Sequence, residues 1–235
     1  MTLATLSLLS MLAAGPALPA RYLALGDSYT IGESVPAAER WPNQLAQLLR
    51  GQGADLANPD IVARTGWTTD ELSAALDAVE RDEAVEMAAG EHAPRPAPPY
   101  QLVTLLIGVN NQYRGRPLDE YRTQLRALLA LAMGYAGGQP RRVVMLSIPD
   151  WGVTPFAAGM GRDAATVARE IDAYNAAARE VCASAGVAYV DITPLTREAG
   201  ERPELLAGDG LHPSGIDYRR WAQAALPAAH AALGN

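Results

Sequence analysis

The chain contains no lysine: all 19 of its basic residues are arginine, set against 26 acidic residues in a chain of 235. This absence excludes a phosphate-cradling P-loop, which needs its lysine, and any Schiff-base or Ser–Lys chemistry. The net charge of -7 argues against the basic stripe that counterion release from phosphates requires, so no nucleic-acid partner is expected. Cysteine occurs once, as Cys182, which excludes an internal disulfide and a zinc cluster. Lying in the apolar helical stretch 174–185, it reads as an inert core thiol. Internal repeats and heptads are missing too, as are G-x-S-x-G, H-E-x-x-H and a strand-following G-x-G-x-x-G. The paired carboxylates Asp82 and Glu83 sit in a charged stretch that a solvated face explains better than glycosidase chemistry.

The one long apolar run, Leu3 to Ala14, is too short for a membrane span, so none is expected. It is followed by Gly15-Pro16-Ala17, a small-residue pattern that suits signal cleavage, although no basic residue precedes it. Residues 1–20 therefore read as an atypical export signal or N-terminal extension, and 21–235 as a single domain. A periplasmic or secreted location is the expectation, and a cytoplasmic one the alternative.

What is present alternates between buried-strand and helical patterns. Strands are expected at 21–26, 60–64, 102–107, 142–148 and 187–191. Helices are expected at 42–50, from 68 through Val79, and at 117–133, 164–185 and 214–233. Thr68 to Glu71 offers a cap with an acidic first turn, and Ser214 with Asp217 resembles a capping pair. Segments 81–99, 151–162 and 191–209 read as irregular. The run LVTLLI at 102–107 has no polar face, as in a parallel strand covered on both sides. The βαβ succession implies five parallel strands in a three-layer α/β/α sandwich.

In such sheets ligands bind beyond the carboxyl ends of the strands, and there the polar candidates gather. Gly26-Asp27-Ser28-Tyr29 ends the first strand, where a sharp turn exposes a nucleophilic hydroxyl and leaves its own N–H free for developing charge. A plain turn carries the same residue types, so Gly26-Asp27-Ser28 alone decides nothing. In Asp209-Gly210-Leu211-His212-Pro213, Asp209 can reach the imidazole from behind and fix its tautomer, leaving the other nitrogen to take a proton from Ser28. Pro213 keeps His212 out of helical geometry, so this stretch is a loop. A loop histidine beside a helix start is the bland alternative, and His92 and His230 have no such partner. Asn110, in Gly108-Val109-Asn110-Asn111, can donate its amide to an oxyanion, and the Gly66 N–H offers a further donor.

In combination these blocks resemble the SGNH/GDSL hydrolases: GDSY at Ser28, ARTG at Gly66, GVNN at Asn110 and DGLH at His212. The resemblance runs from about Arg21 into the last helix. It implies a flavodoxin-like fold with strand order 2-1-3-4-5, and hydrolysis of esters or thioesters with no metal or organic cofactor. Ser28, Asp209 and His212 would form the triad, and Ser28, Gly66 and Asn110 the oxyanion hole. The expected activity is that of a serine ester hydrolase acting on short or small acyl esters of a small molecule, lipid or glycan. An acyltransferase or carbohydrate O-deacetylase with the same triad is the alternative, and a non-catalytic binding protein a more distant one. Trp67, Asn111, Tyr113, Trp151 and Phe156 follow strand ends and are expected to line the substrate pocket, with rim packing as the competing reading.

Overall fold

The computed structural model describes residues 18–87 and 90–234. Most of the N-terminal segment read as an export signal lies outside the described residues. Five strands form one parallel sheet: β1 (Tyr22–Asp27), β2 (Asp60–Arg64), β3 (Leu102–Leu106), β4 (Val143–Leu146) and β5 (Ala188–Val190). Their order is β2-β1-β3-β4-β5, so the chain starts in the interior and works outward on both sides. Every residue of β1, β3 and β4 is buried, which is why those strands read as apolar runs rather than alternating ones. β5, at one edge, is only partly covered.

Helices fill the layers on either side. α2 (Trp41–Gly51) packs against α9 (Gly215–Ala232), while α3 (Thr69–Glu80), α5 (Leu118–Tyr135) and α7 (Ala164–Ala185) pack in succession. Local chemistry sets the helix ends. The Glu71 carboxylate accepts the Thr68 N–H at 2.9 Å ahead of α3, and Asp163 Oδ2 accepts the Thr166 N–H at 2.9 Å ahead of α7. α7 stops where Gly186 turns left-handed, with φ 69°. Among the described residues no helix is long and apolar enough to cross a membrane.

Three local expectations are corrected. Segment 151–162 contains a 3-10 turn, Trp151–Val153, and the short helix α6 (Pro155–Gly159), which Thr154 caps through its hydroxyl. Segment 191–209 contains α8 (Thr193–Arg197), with Pro194 in its first turn. These helices are too short for apolar periodicity to register. Ser214 and Asp217 do not form a capping pair: the Ser214 hydroxyl donates to the Glu204 carbonyl at 2.8 Å. Asp217 is buried and instead accepts from Trp221 Nε1 and Arg220 Nη1.

Two very short helices begin at the carboxyl ends of the central strands, α1 (Ser28–Ile31) after β1 and α4 (Val109–Tyr113) after β3. Gly26 pairs with Ala63 on one side and Leu106 on the other. A Cβ there would collide with the Thr30 side chain and the Leu106 carbonyl, so only glycine lets the chain turn directly from strand into α1.

Candidate active site

Ser28 is the first residue of α1 and is buried. Asp27 precedes it and accepts the Tyr29 N–H on Oδ1 at 3.0 Å, which fixes the turn that presents the serine. The Asp27 carboxyl is fully buried; burial pushes it up to about 8, against the pull of the Tyr29 N–H, so it holds a proton at neutral pH.

Asn110 comes from the first turn of α4. Its Nδ2 donates to the Trp67 carbonyl at 3.0 Å and lies 3.5 Å from Asp27 Oδ2. Gly66, two residues beyond β2, has φ 87°, a conformation that a side chain would strain. Its carbonyl accepts from Arg114 Nη2 at 2.6 Å, and Arg114 is itself held by Glu71 at 2.9 Å. The turns after β1, β2 and β3 are thus joined by side-chain bonds.

The DGLH loop closes the arrangement. Gly210 turns left-handed, with φ 67°, and lets the chain double back so that Asp209 faces the imidazole three residues on. Asp209 Oδ1 accepts the N–H groups of Leu211 and His212, each at 2.9 Å, while Oδ2 accepts His212 Nδ1–H at 2.7 Å. Partial burial opposes ionisation of Asp209. Hydrogen bonds from Ser34, His212 and the two N–H groups outweigh it and hold the carboxyl at about 2. An ionised Asp209 keeps the proton on Nδ1 and leaves His212 Nε2 as the acceptor. His212 is buried, with the Tyr29 ring 5.0 Å away.

Ser28, Gly66, Asn110 and His212 border one cavity of about 160 Å3, whose other walls include Tyr29, Val109, Tyr113, Trp151, Phe156 and Leu211. Ser28 and His212 are not hydrogen-bonded to each other in this structure; catalytic contacts of this kind commonly tighten only around substrate. The arrangement offers a hydroxyl, a base with a fixed tautomer, and polar N–H donors around a small apolar cavity.

Of the five side chains expected in the pocket, Tyr113, Trp151 and Phe156 line it, whereas Trp67 and Asn111 do not. Trp67 is packed into the core. Asn111 is fully buried and braces α3, accepting the Thr69 N–H at 3.1 Å and donating to Thr69 Oγ1 at 2.7 Å. Adjacent residues in a one-turn helix point different ways, so Asn110 faces the cavity and Asn111 faces inward. Sequence reasoning missed Thr65, Tyr29, Val109 and Leu211 as liners, although each neighbours a motif residue. It also missed Arg114 behind Gly66 and Ser34 behind Asp209, for which no local pattern exists. Among the described residues no group of three His, Cys, Asp or Glu side chains comes together as a metal site. Cys182 is buried beside Met145, and burial raises its thiol to about 12.

No curated protein matches the chain. Among solved structures it resembles the psychrotrophic esterase EstA from Pseudoalteromonas sp. (TM-score 0.63, 16% identity, covering 92% of this chain and 99% of that one). It also resembles the lipase/acylhydrolase from Enterococcus faecalis (TM-score 0.63, 17% identity, covering 90% and 96%). A third is the acetylxylan esterase Axe2 from Geobacillus stearothermophilus (TM-score 0.62, 20% identity, covering 89% and 94%). At these identities the likeness shows a shared fold. The family assignment rests on the sequence, because the model of the GDSL-like lipase/acylhydrolase family matches residues 24–220. The chain belongs to that family and is an ester-hydrolysing enzyme.

Proposed function

We propose that the protein is a serine ester hydrolase that forms an acyl-enzyme on Ser28 and prefers short acyl groups. The observation that carries this reading is that His212, paired with Asp209 at 2.7 Å, borders the same cavity as Ser28, Gly66 and Asn110. Ser28 Oγ attacks the ester carbonyl as His212 Nε2 takes its proton, and Asp209 stabilises the imidazolium that results. The N–H groups of Ser28 and Gly66 and the Asn110 amide hold the tetrahedral oxyanion. His212 returns the proton to the leaving alcohol, then activates a water that hydrolyses the acyl-enzyme.

The preference for short acyl groups rests on size and lining. An apolar cavity of about 150 Å3 takes a benzene-sized group, and this one measures about 160 Å3 between Tyr113, Trp151, Phe156, Val109 and Leu211. A second reading, removal of O-acetyl groups from a glycan, is favoured by the same small cavity and by the likeness to Axe2, an acetylxylan esterase. The apolar run before Ala17 extends the proposal to an exported enzyme, which N-terminal sequencing of the mature protein tests.

The deciding experiment is hydrolysis of p-nitrophenyl acetate, butyrate, octanoate and palmitate by the wild type and Ser28→Ala in parallel. Turnover of the shorter esters that vanishes in the variant is expected. Near-normal turnover by Ser28→Ala would remove the proposal. Acetylated xylan and xylose tetraacetate as further substrates separate the glycan reading from a general one.

A further inference from the structure

Asp209 accepts hydrogen bonds from four groups, and three of them belong to its own loop: the N–H groups of Leu211 and His212, and His212 Nδ1–H. These three travel with the loop and set its internal shape, but none fixes where the loop sits relative to the nucleophile. The fourth comes from a distant part of the chain. Ser34 donates its hydroxyl to Asp209 Oδ2 at 2.7 Å, across 175 positions of sequence, onto the same oxygen that receives His212 Nδ1–H. We infer that Ser34 is a positioning residue, whose hydroxyl bond to Asp209 locks the Asp209–His212 pair to the turn that bears Ser28.

The connection on the other side is equally short. α1 runs from Ser28 to Ile31, and the left-handed turn at Gly32 just after it (φ 69°) sends the chain back over the site. The Glu33 N–H donates to the Ser28 carbonyl at 3.0 Å, and Ser34 follows directly. The path from nucleophile to base therefore runs through one helical turn, a backbone hydrogen bond and the Ser34 hydroxyl. Glu33, next along the same turn, accepts from Thr65 Oγ1, beside Gly66. Two consecutive residues thus hold α1 to the oxyanion turn and to the acid–base loop.

The backbone supplies an independent observation. Ser34 has φ 66°, and the only other described non-glycine residue with positive φ is Asp82, in an exposed loop. A residue with a Cβ is strained there, whereas glycine takes this conformation freely. Backbone needs alone favour glycine at this position, so what serine adds is its hydroxyl. Strain held in place by a hydrogen bond at a reacting centre is a recurrent feature of functional sites.

The inference rests on the triad reading given above, and the test separates the two. Ser34→Gly removes the hydroxyl while relieving the backbone, so a merely structural serine would gain or keep stability and activity together. The positioning role predicts the opposite split on p-nitrophenyl acetate. A hydrogen bond to a charged group is worth enough to lower kcat about five- to tenfold, with KM nearly unchanged and the melting temperature equal or higher. Ser34→Ala, which keeps the Cβ and loses only the hydroxyl, is expected to lose kcat to the same extent. The effect should depend on its target: in an Asp209→Asn background the same Ser34→Gly change should alter kcat less than about twofold. Wild-type kcat in Ser34→Gly, or an undiminished loss in the Asp209→Asn background, would overturn the inference and leave the triad standing. Wild-type activity in Asp209→Asn alone would instead overturn the triad reading, and this inference with it.

Discussion

The Asn110 amide nitrogen sits 3.0 Å from the Trp67 carbonyl oxygen, so the side chain that faces the cavity also pins the turn after β3 to the turn after β2. One of its two N–H groups is consumed by that bond. The other has only Asp27 Oδ2 nearby, at a long 3.5 Å, and is the one available to an oxyanion. Asn110→Ala removes both functions, and a single oxyanion donor contributes about 10²–10³ in kcat in a hydrolase. We expect a fall in kcat of that size with KM changed little, because the interaction is made mainly in the transition state. Steady-state kinetics on p-nitrophenyl acetate checks it. A loss smaller than tenfold would mean that the two backbone N–H groups suffice.

Asp27 gives a second prediction, one of stability rather than turnover. Its carboxyl titrates near 3.8 when exposed and is raised by burial to about 8 in the folded protein. Between those values the folded state holds a proton that the unfolded state has released. Stability from this group is therefore complete below 3.8 and declines steadily as pH rises toward about 8. Asparagine reproduces the shape of a neutral carboxyl and still offers an oxygen to the Tyr29 N–H. Asp27→Asn should thus stabilise the protein relative to wild type, by a margin that widens with pH across that window. Melting temperatures of both proteins at several pH values measure the margin, and a constant one would mean that Asp27 is ionised throughout.

The sheet was legible because burial on both faces leaves a plain mark in sequence: 102–107 is apolar throughout, and β3 occupies Leu102–Leu106. The DGLH geometry was legible because Asp209 and His212 are three residues apart and Pro213 forces a loop, so local chain geometry nearly determines the contact. Asn110 and Asn111 were not separable by the same means. Both follow the same strand, and only the start of α4 decides which faces the cavity and which faces Thr69. Ser34 and Arg114 were invisible because each meets its partner through tertiary packing, Asp209 in one case and Gly66 in the other. No spacing rule reaches across such distances. Motif residues announce the chemistry, while the residues that hold them in register emerge only from the fold.

The cavity wall leads to the last prediction. Trp151 is buried and stands between the active-site cavity and a tight void lined by Asp150, Thr154, Thr196 and Leu206. Trp151, Tyr29 and Leu211 border both spaces and together form the wall between them. The indole's position is held by a bond from Nε1 to Gln112 Oε1 at 2.8 Å, with Gln112 in turn donating to Glu170 at 2.6 Å. Trp151→Leu thins that wall without adding a polar group. Losing the indole costs stability, roughly 2–4 kcal/mol for a buried aromatic truncated this far. The space released should lengthen the acyl chain that fits. Two further methylenes buried at ~0.8 kcal/mol each amount to about a tenfold gain in kcat/KM. The quantity to measure is the ratio of kcat/KM for p-nitrophenyl octanoate to that for the acetate, because a ratio is unaffected by any fraction of unfolded variant. A rise of about tenfold in Trp151→Leu is expected. An unchanged ratio would mean that the acyl group does not lie against Trp151.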